Sequence, residues 1–178
     1  MKSKYVAILL LIGCLSCSFQ STKAQISVHT RLQITGVTGS SILPNYANWI
    51  VLDSYANSSN RPLFMGSGGL VNSTNASTQK YRIKIPNSER AIPKLYFLTC
   101  QGTVLPQITL VFIKDGVEIE KVVLYNVIID SVNWYNQNPG LGQAEITVVF
   151  NKIRRTLKTD NSGSSYTYGW DLTTGTAF

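Results

Sequence analysis

Residues 107–129 read QITLVFIKDGVEIEKVVLYNVII and carry the strongest local structural signal in the chain. Two runs rich in β-branched and aromatic residues, 107–114 and 117–129, flank the pair Asp115-Gly116. Asp-Gly is a favoured two-residue turn of a type I′ hairpin, because both residues accept a positive φ. The stretch therefore predicts a hairpin of two antiparallel strands.

The second arm of this hairpin changes character along its length. Val117 and Ile119 alternate with Glu118 and Glu120, which indicates one buried and one solvated face. Because side chains two residues apart on a strand share a face, we expect the two glutamates to lie together on the solvated one. Residues 122–129 are apolar on both faces, which is typical of a strand that enters a covered position.

Shorter β-prone runs lie on both sides of the hairpin, separated by clusters of Gly, Asn, Pro and Ser, and they indicate an all-β domain. Further strands are predicted at residues 26–34, 49–52, 79–85 and 144–157. In the first of them, alternation predicts a buried face. That face consists of Ile26, Val28, Thr30, Leu32 and Ile34.

Three remaining segments are less regular. Residues 54–78, rich in Asn, Ser and Gly, and residues 160–168 are predicted to be loops. A loop as long as the first one is uncommon in a compact domain and tends to be functional or mobile. Residues 169–172 form a final apolar element.

One short helix is predicted at residues 93–100, where Pro93 suits the first turn and Gly102 can end the helix in a left-handed conformation. At about two turns it is too short to stand alone, so we expect it to pack against a sheet. Closing the strands on themselves removes exposed sheet edges. We therefore predict a mainly β protein, an antiparallel β-barrel of two sheets with one short flanking α-helix.

Residues 1–24 have the pattern of a secretory signal peptide. Lys2 and Lys4 precede an apolar run, residues 5–13, and small and polar residues follow. The run is shorter than the roughly 18 residues that a membrane-spanning helix needs, so no transmembrane span is predicted. Cleavage after Ala24 would leave a single domain, residues 25–178, as a secreted or periplasmic protein.

A second interpretation of the same segment stays open. Residues 11–14 read LIGC and resemble the lipobox of bacterial lipoproteins, in which the cysteine becomes the acylated first residue. Cys14 would then be a lipidation site, and the protein would be anchored at the outer membrane. Both interpretations place the chain outside the cytoplasm, and the one that remains is a buried apolar N-terminal segment of a cytoplasmic protein.

Composition excludes several functional classes. The whole chain carries 16 Lys and Arg against 9 Asp and Glu, and removal of residues 1–24 leaves 13 against 9, a formal charge of +4. This balance is too mild to indicate nucleic-acid binding. One histidine and three cysteines leave no material for a Cys/His zinc site, so neither a metal nor a cofactor is predicted.

The same residues offer little for catalysis, so the sequence predicts no enzyme and no catalytic residue. His29 lies on the polar face of the first predicted strand with no partner motif, and we interpret it as solvated. Glu118 and Glu120 are interpreted as solvated side chains on the second arm of the hairpin rather than as a hydrolytic pair. Cys100, in an apolar context, is expected to be buried and inert.

Several motifs, taken in order, resemble the Hcp tube proteins of bacterial type VI secretion systems, over most of the chain after residue 25. They are Ile34-Thr35-Gly36-Val37-Thr38-Gly39, Trp49-Ile50-Val51-Leu52, the Pro-to-Gly helix 93–102, residues 107–110, residues 124–132, residues 145–153 and residues 169–174. The resemblance implies a β-barrel with a flanking helix that forms hexameric rings. It also implies that the rings stack into a tube and that secretion-apparatus and effector proteins are partners.

A basic group near the end of the late strand is a candidate for contact between such subunits. It consists of Lys152, Arg154, Arg155 and Lys158. We expect it to meet the acidic Glu118 and Glu120 of another copy and so favour ring closure. A merely solvated strand end is the other interpretation.

These observations lead to one functional hypothesis and one alternative. The first is a non-enzymatic structural protein that self-assembles into rings, with residues 54–78 contributing to contact between stacked rings. The alternative, suggested by the export signal, is a monomeric or lipid-anchored binding or adhesin module built on the same barrel.

Overall fold

The computed structural model describes residues 27–58, 63–66, 69–72, 80–135, 142–159 and 164–178. The predicted leader, with Cys14 inside it, lies outside the described residues. No helix within the described ranges is long and apolar enough to cross a membrane.

The hairpin at the centre of the sequence is confirmed. Strand β7 spans Leu105–Lys114, strand β8 spans Val117–Tyr135, and they pair antiparallel. Between them Asp115 and Gly116 have φ values of 50° and 81°, the positive values that a type I′ turn requires.

Among the described residues, the remaining elements complete a large and a small antiparallel sheet and add a separate pair of strands. In chain order they are β1 Val28–Ile34, β2 Ile50–Leu52, β3 Ser54–Ser58, β4 Leu63–Gly66, β5 Gly69–Asn72, β6 Lys80–Pro86, the helix α1 Ile92–Gln101, β9 Gln143–Val149, β10 Lys152–Lys158, β11 Ser165–Asp171 and β12 Thr176–Ala177. The large sheet has the order β12-β11-β10-β8-β7-β1-β2, and the small sheet the order β3-β6-β9-β8. Over the part of the chain that the structure describes, the prediction of a mainly β, antiparallel protein with one short helix is confirmed, while closure into a barrel stays a prediction.

Strand β8 belongs to both sheets. Its residues 117–127 pair with β7 in the large sheet, and residues 128–135 pair with β9 in the small one. Asn126, at the change, has a φ of 51°, a left-handed conformation that asparagine tolerates better than most residues. One strand of 19 residues can therefore bend and hold the two sheets together.

The prediction of a single strand over residues 144–157 is wrong. The chain forms β9 in the small sheet and β10 in the large sheet, with a break at Phe150 and Asn151. Phe150 is buried in the core, and the Asn151 N–H donates to the Tyr125 carbonyl at 3.1 Å. Continuous β-propensity conceals this crossing, because nothing in local pattern shows which sheet a strand will join.

Both predicted loops are partly strand. Within 54–78, β3 pairs with β6, and β4 pairs with β5. Within 160–168, residues from Ser165 onward begin β11, which pairs with β10. In both segments Asn, Ser and Gly lower the intrinsic β-propensity, and pairing with a neighbouring strand outweighs it.

The core lies between the two sheets, and helix α1 covers one end of it. Ile92, Leu95 and Leu98 of the helix are buried, and Gly102 ends it with a φ of 61°. The predicted helix and its left-handed C-terminal cap are therefore confirmed. The remaining buried side chains come mostly from alternate positions of strands, as in Tyr81, Ile83 and Ile85 of β6.

The first strand departs from the predicted alternation. Val28, predicted to be buried, is exposed, whereas Arg31, which lies between two positions of the predicted buried face, is itself buried. The Arg31 Nε donates to Ser41 Oγ at 3.0 Å, and Nη1 donates to the Thr30 carbonyl at 2.8 Å. Arg31 is buried because the connection between β1 and β2 packs over the outer face of the large sheet, which the strand pattern does not reveal.

Candidate subunit-contact surface

A β-bulge separates the two glutamates of the hairpin. In the register of β7 and β8, Phe112 lies opposite Glu120, whereas the next residue, Ile113, lies opposite Glu118, so Ile119 is the extra residue. Paired residues of an antiparallel sheet share a face, and the bulge therefore turns Glu118 and Glu120 to opposite faces. The prediction that they lie together is wrong.

Glu120 lies on the core side of the large sheet and joins four strands. The Tyr55 hydroxyl donates to its Oε2 at 3.0 Å, and the Arg155 guanidinium forms an ion pair with its Oε1. The Arg155 Nη1 also donates to the Tyr168 hydroxyl at 3.3 Å. The Glu120 side chain is only 11% exposed, so the expectation of a solvated glutamate is wrong.

The electrostatics of this group follow from its burial. We call Tyr55, Tyr81, Glu120, Arg155 and Tyr168 the polar cluster. Burial raises the pKa of the Tyr55 phenol well above its usual range, and the neighbouring Glu120 carboxylate raises it further. Burial likewise raises the pKa of Tyr81 to about 12. The hydrogen bond to Glu120 raises the pKa of the Arg155 guanidinium above its usual value.

Glu118 has different partners on the outer side of the sheet. The Tyr46 hydroxyl donates to its Oε2 at 3.1 Å, and the Lys158 ammonium lies 3.3 Å from its Oε1. The Tyr46 ring in turn packs edge-on against Trp49, with ring centroids 5.1 Å apart. Glu118 therefore holds the connection between β1 and β2 against the end of β10.

Lys152 and Arg154 lie apart from both glutamates. The Lys152 ammonium is 2.8 Å from Asp171 Oδ2. This contact and hydrogen bonds from Thr173 lower the pKa of the Asp171 carboxyl. Arg154 stacks over the rings of Phe178, at 5.1 Å, and Tyr125, at 5.9 Å.

The structure thus divides the predicted contact residues into three sets. Glu120 contacts Arg155 within one chain, Glu118 contacts Lys158, and Lys152 and Arg154 contact an acidic and aromatic group on the outer side. Their contact with a second copy stays a prediction.

A surface that the sequence reasoning missed lies beside the polar cluster. Leu157 lies opposite Tyr166, and Arg155 lies opposite Tyr168, in the pairing of β10 with β11. We call these four residues the hairpin face. Tyr166 is 66% exposed, Tyr168 50% and Leu157 37%. The alternation of tyrosine with small residues in Ser165-Tyr166-Thr167-Tyr168 was the available signal.

The two other side chains considered for catalysis, His29 and Cys100, have simpler environments. His29 is half-buried on β1, opposite Ile113 of β7. Cys100 is exposed, so the expectation that it is buried is wrong. Across the described ranges no group of three or more His, Cys, Asp or Glu side chains is arranged to hold a metal ion.

A groove of about 430 Å³ opens where the chain passes from β2 in the large sheet to β3 in the small sheet. Val28, Leu52, Tyr55 and Phe112 form its apolar and aromatic part, and His29, Arg31, Asp53 and Ser54 are among its polar lining residues. The Asp53 N–H donates to the Lys84 carbonyl at 2.9 Å, which draws the chain away from β1. Within the described residues this groove is open between strands, and its volume would admit a small ligand or a short peptide.

Comparison with known proteins gave consistent results. The family described as "Type VI secretion system effector, Hcp" matches residues 32–156. No curated protein sequence matches the chain. Among solved structures, the chain is similar to Hcp1 from Salmonella typhimurium, with 19% sequence identity over 85% of this chain and 99% of that one, and a TM-score of 0.70.

Two further structures show the same fold. A type VI secretion system effector from Yersinia pestis is 18% identical over 80% of this chain and 99% of its own, with a TM-score of 0.66. The secreted protein Hcp3 from Pseudomonas aeruginosa is 13% identical over 83% and 98%, with a TM-score of 0.53. Because the family match spans well over half of the sequence, the chain belongs to the Hcp family of type VI secretion system proteins.

Proposed function

We propose that this chain is a non-enzymatic structural protein that self-assembles into hexameric rings. The rings would stack as a type VI secretion tube and carry or accompany effectors. Family membership over residues 32–156 is the observation that carries this proposal. The likeness to solved Hcp structures supports it through the fold that they share.

The hairpin face and the polar cluster are the proposed contact between neighbouring subunits. Tyr166, Tyr168 and Leu157 expose apolar area, and tyrosine is a residue type enriched in protein interfaces. Arg155 and Glu120 already form an ion pair within the chain, so a partner would add hydrogen bonds at its edge without burying an unpaired charge. Glu118, Lys152 and Arg154 would lie at the outer margin of that contact.

Contact between stacked rings is proposed for the segment 54–78. Within it, β4 and β5 pair with each other and with no other described strand. A two-stranded hairpin is only marginally stable by itself in water, so a neighbouring ring that covers it would stabilise it. Export is proposed to use residues 1–24 as a signal peptide, or Cys14 as a lipid anchor.

Native mass spectrometry of the exported, processed chain tests the assembly. We expect a closed species with six times the monomer mass. The double variant Leu157→Ser/Tyr166→Ser should shift the sample to monomer while its circular dichroism remains that of a folded β protein. The matched control is Tyr96→Ser, a half-exposed tyrosine on helix α1, which should leave the hexamer intact.

The groove beside Tyr55 favours a second candidate function, that of a monomeric or lipid-anchored binding module. Its lining combines apolar and aromatic side chains with polar ones, and ligand sites join these two kinds of group. A strict monomer at micromolar concentration would support this alternative over the ring. Loss of ligand binding in Phe112→Ala would then locate the ligand in the groove.

A further inference from the structure

Four side chains at the far end of β8 form an exposed aromatic and basic surface, which we call the aromatic patch. Helix α1 contributes Lys94, Tyr96 and Phe97, and β8 contributes Trp134. The Tyr96 and Trp134 rings lie 5.3 Å apart between centroids, and the Lys94 ammonium lies 4.8 Å from the Phe97 ring centre. Each ring is 48–49% exposed, although it packs against a neighbour in the patch.

The proposed function does not use this patch. The core beneath it is already closed by Leu95 and Leu98, which are buried on the other side of the helix. Three half-exposed aromatic rings in one place are unusual on a soluble protein surface, since scattered single rings are the norm. A partner that is apolar on one side and wet on the other would suit them.

The rings in the patch have the chemistry of a membrane interface. Tryptophan and tyrosine combine an apolar body with a polar tip, and they are enriched at the level of lipid headgroups. Lysine can extend its ammonium group to the phosphates while its stem covers apolar surface. All three residue types occur together in Lys94, Tyr96 and Trp134.

Charge favours an anionic surface as the partner. Helix α1 contains no Asp or Glu, and among the described residues Lys94 has no acidic partner. On β9, Glu145 lies opposite Asn133, so it is on the other face of the sheet from Trp134, which lies opposite Ala144. A second copy docking through the same patch would bring two Lys94 ammonium groups together, which is unfavourable.

We propose that the aromatic patch docks this protein on an anionic phospholipid surface, with Trp134, Tyr96 and Phe97 at the headgroup level and Lys94 near the phosphates. The inference is independent of ring assembly, and it does not require acylation of Cys14. Buried apolar area and attraction to anionic lipid would together set the strength of binding.

Tryptophan fluorescence with vesicles tests the proposal. The full chain would carry Cys14→Ser, which prevents acylation, and Trp49→Phe with Trp170→Phe, which leaves Trp134 as the only tryptophan. Vesicles of phosphatidylcholine with about one third phosphatidylglycerol should shift the Trp134 emission to shorter wavelength, and brominated acyl chains should quench it. The leader alone can bind vesicles, but it would leave Trp134 in water, and an unshifted, unquenched Trp134 would overturn the proposal.

Co-sedimentation with the same vesicles gives a second readout that keeps all three tryptophans. Tyr96→Ser/Phe97→Ser should weaken binding roughly tenfold or more, and Lys94→Gln about fivefold at low salt. The control Ile42→Ser, at a highly exposed apolar position in the connection between β1 and β2, should bind as the parent does. Equal binding by all variants would contradict the proposal, and so would a loss of oligomer mass in Tyr96→Ser/Phe97→Ser, because it would show that the patch is a protein contact.

Discussion

The two ends of strand β8 are closed in different ways. Near Glu120 the space between the sheets is closed by hydrogen bonds and an ion pair, from Tyr55 and Arg155 to one carboxylate. Near Trp134 it is closed by helix α1, whose buried Leu95 fills the core and whose outer side carries half-exposed rings. One end satisfies its polar groups internally, whereas the other leaves apolar rings and a cation without an acidic partner among the described residues.

The difference indicates how each end can be used. Directional bonds at the polar cluster hold β3, β8, β10 and β11 in one arrangement, which suits a precise contact between identical subunits. Apolar rings around Lys94 have no such directional demand, which suits a fluid surface such as lipid. Four predictions separate the two ends, from the largest expected effect on stability to the smallest.

Among the four changes, Leu95→Ala, at the helix end of β8, should lower the free energy of unfolding the most. Leu95 is fully buried, so the change leaves a cavity in the core, and we expect a loss of about 3 kcal/mol in the free energy of unfolding. Urea denaturation followed by circular dichroism measures it. A loss below about 1 kcal/mol would mean that helix α1 does not close the core.

Glu120→Ala, at the polar end of β8, should lower the free energy of unfolding by about 2 kcal/mol, because the Tyr55 hydroxyl and the Arg155 guanidinium lose their shared partner. Arg155 is 37% exposed, so water compensates part of the loss. In a double-mutant cycle with Arg155→Met, the two losses should not add. Additive losses would show that the ion pair contributes nothing to stability. Glu118→Gln is the matched control, with a smaller expected loss, since its partner Lys158 is 48% exposed.

Alkaline pH should destabilise the polar end. The folded-state pKa of Tyr81 is raised from 10.0 to about 12, mainly by burial, so its contribution to stability is fully present below pH 10. The contribution is lost as the pH rises towards 12, because the unfolded chain ionises first. Tyr81→Phe should flatten this fall in the free energy of unfolding. An equally steep fall in the variant would assign the alkaline loss to other groups, Tyr55 first among them.

Phe97→Ser and Lys94→Gln should change the free energy of unfolding by no more than about 0.5 kcal/mol, because both side chains are on the surface. The same urea denaturation that is used for Leu95→Ala measures this change. A large loss in the free energy of unfolding would mean that the aromatic patch stabilises the fold, which would contradict its assignment as a docking surface.

Local signals made part of this fold predictable from sequence. Asp115-Gly116 specifies its turn through two positive φ values, and Gly102 ends helix α1 in the same way. In β6, apolar and basic residues alternate, and the apolar ones, Tyr81, Ile83 and Ile85, form its buried face. Each of these features depends on neighbours within a few residues.

The features that decide the candidate site are not local. Ile119 becomes a bulge only in the register with β7, and this bulge turns Glu118 away from Glu120. Likewise, the chain crosses between sheets at Phe150 because β9 and β10 have different partners. Charge in the sequence predicted contacts between the two glutamates and the late basic residues of another copy. Only the register shows that, within one chain, Arg155 contacts Glu120 and Lys158 contacts Glu118.

Electron microscopy of the exported chain is the decisive measurement, because it shows the assembly and the orientation of its subunits together. We expect rings of six copies in which the hairpin faces lie between neighbours and helix α1, with Tyr96 and Phe97, lies away from that contact. Isolated particles of monomer size, or rings joined through helix α1, would contradict it.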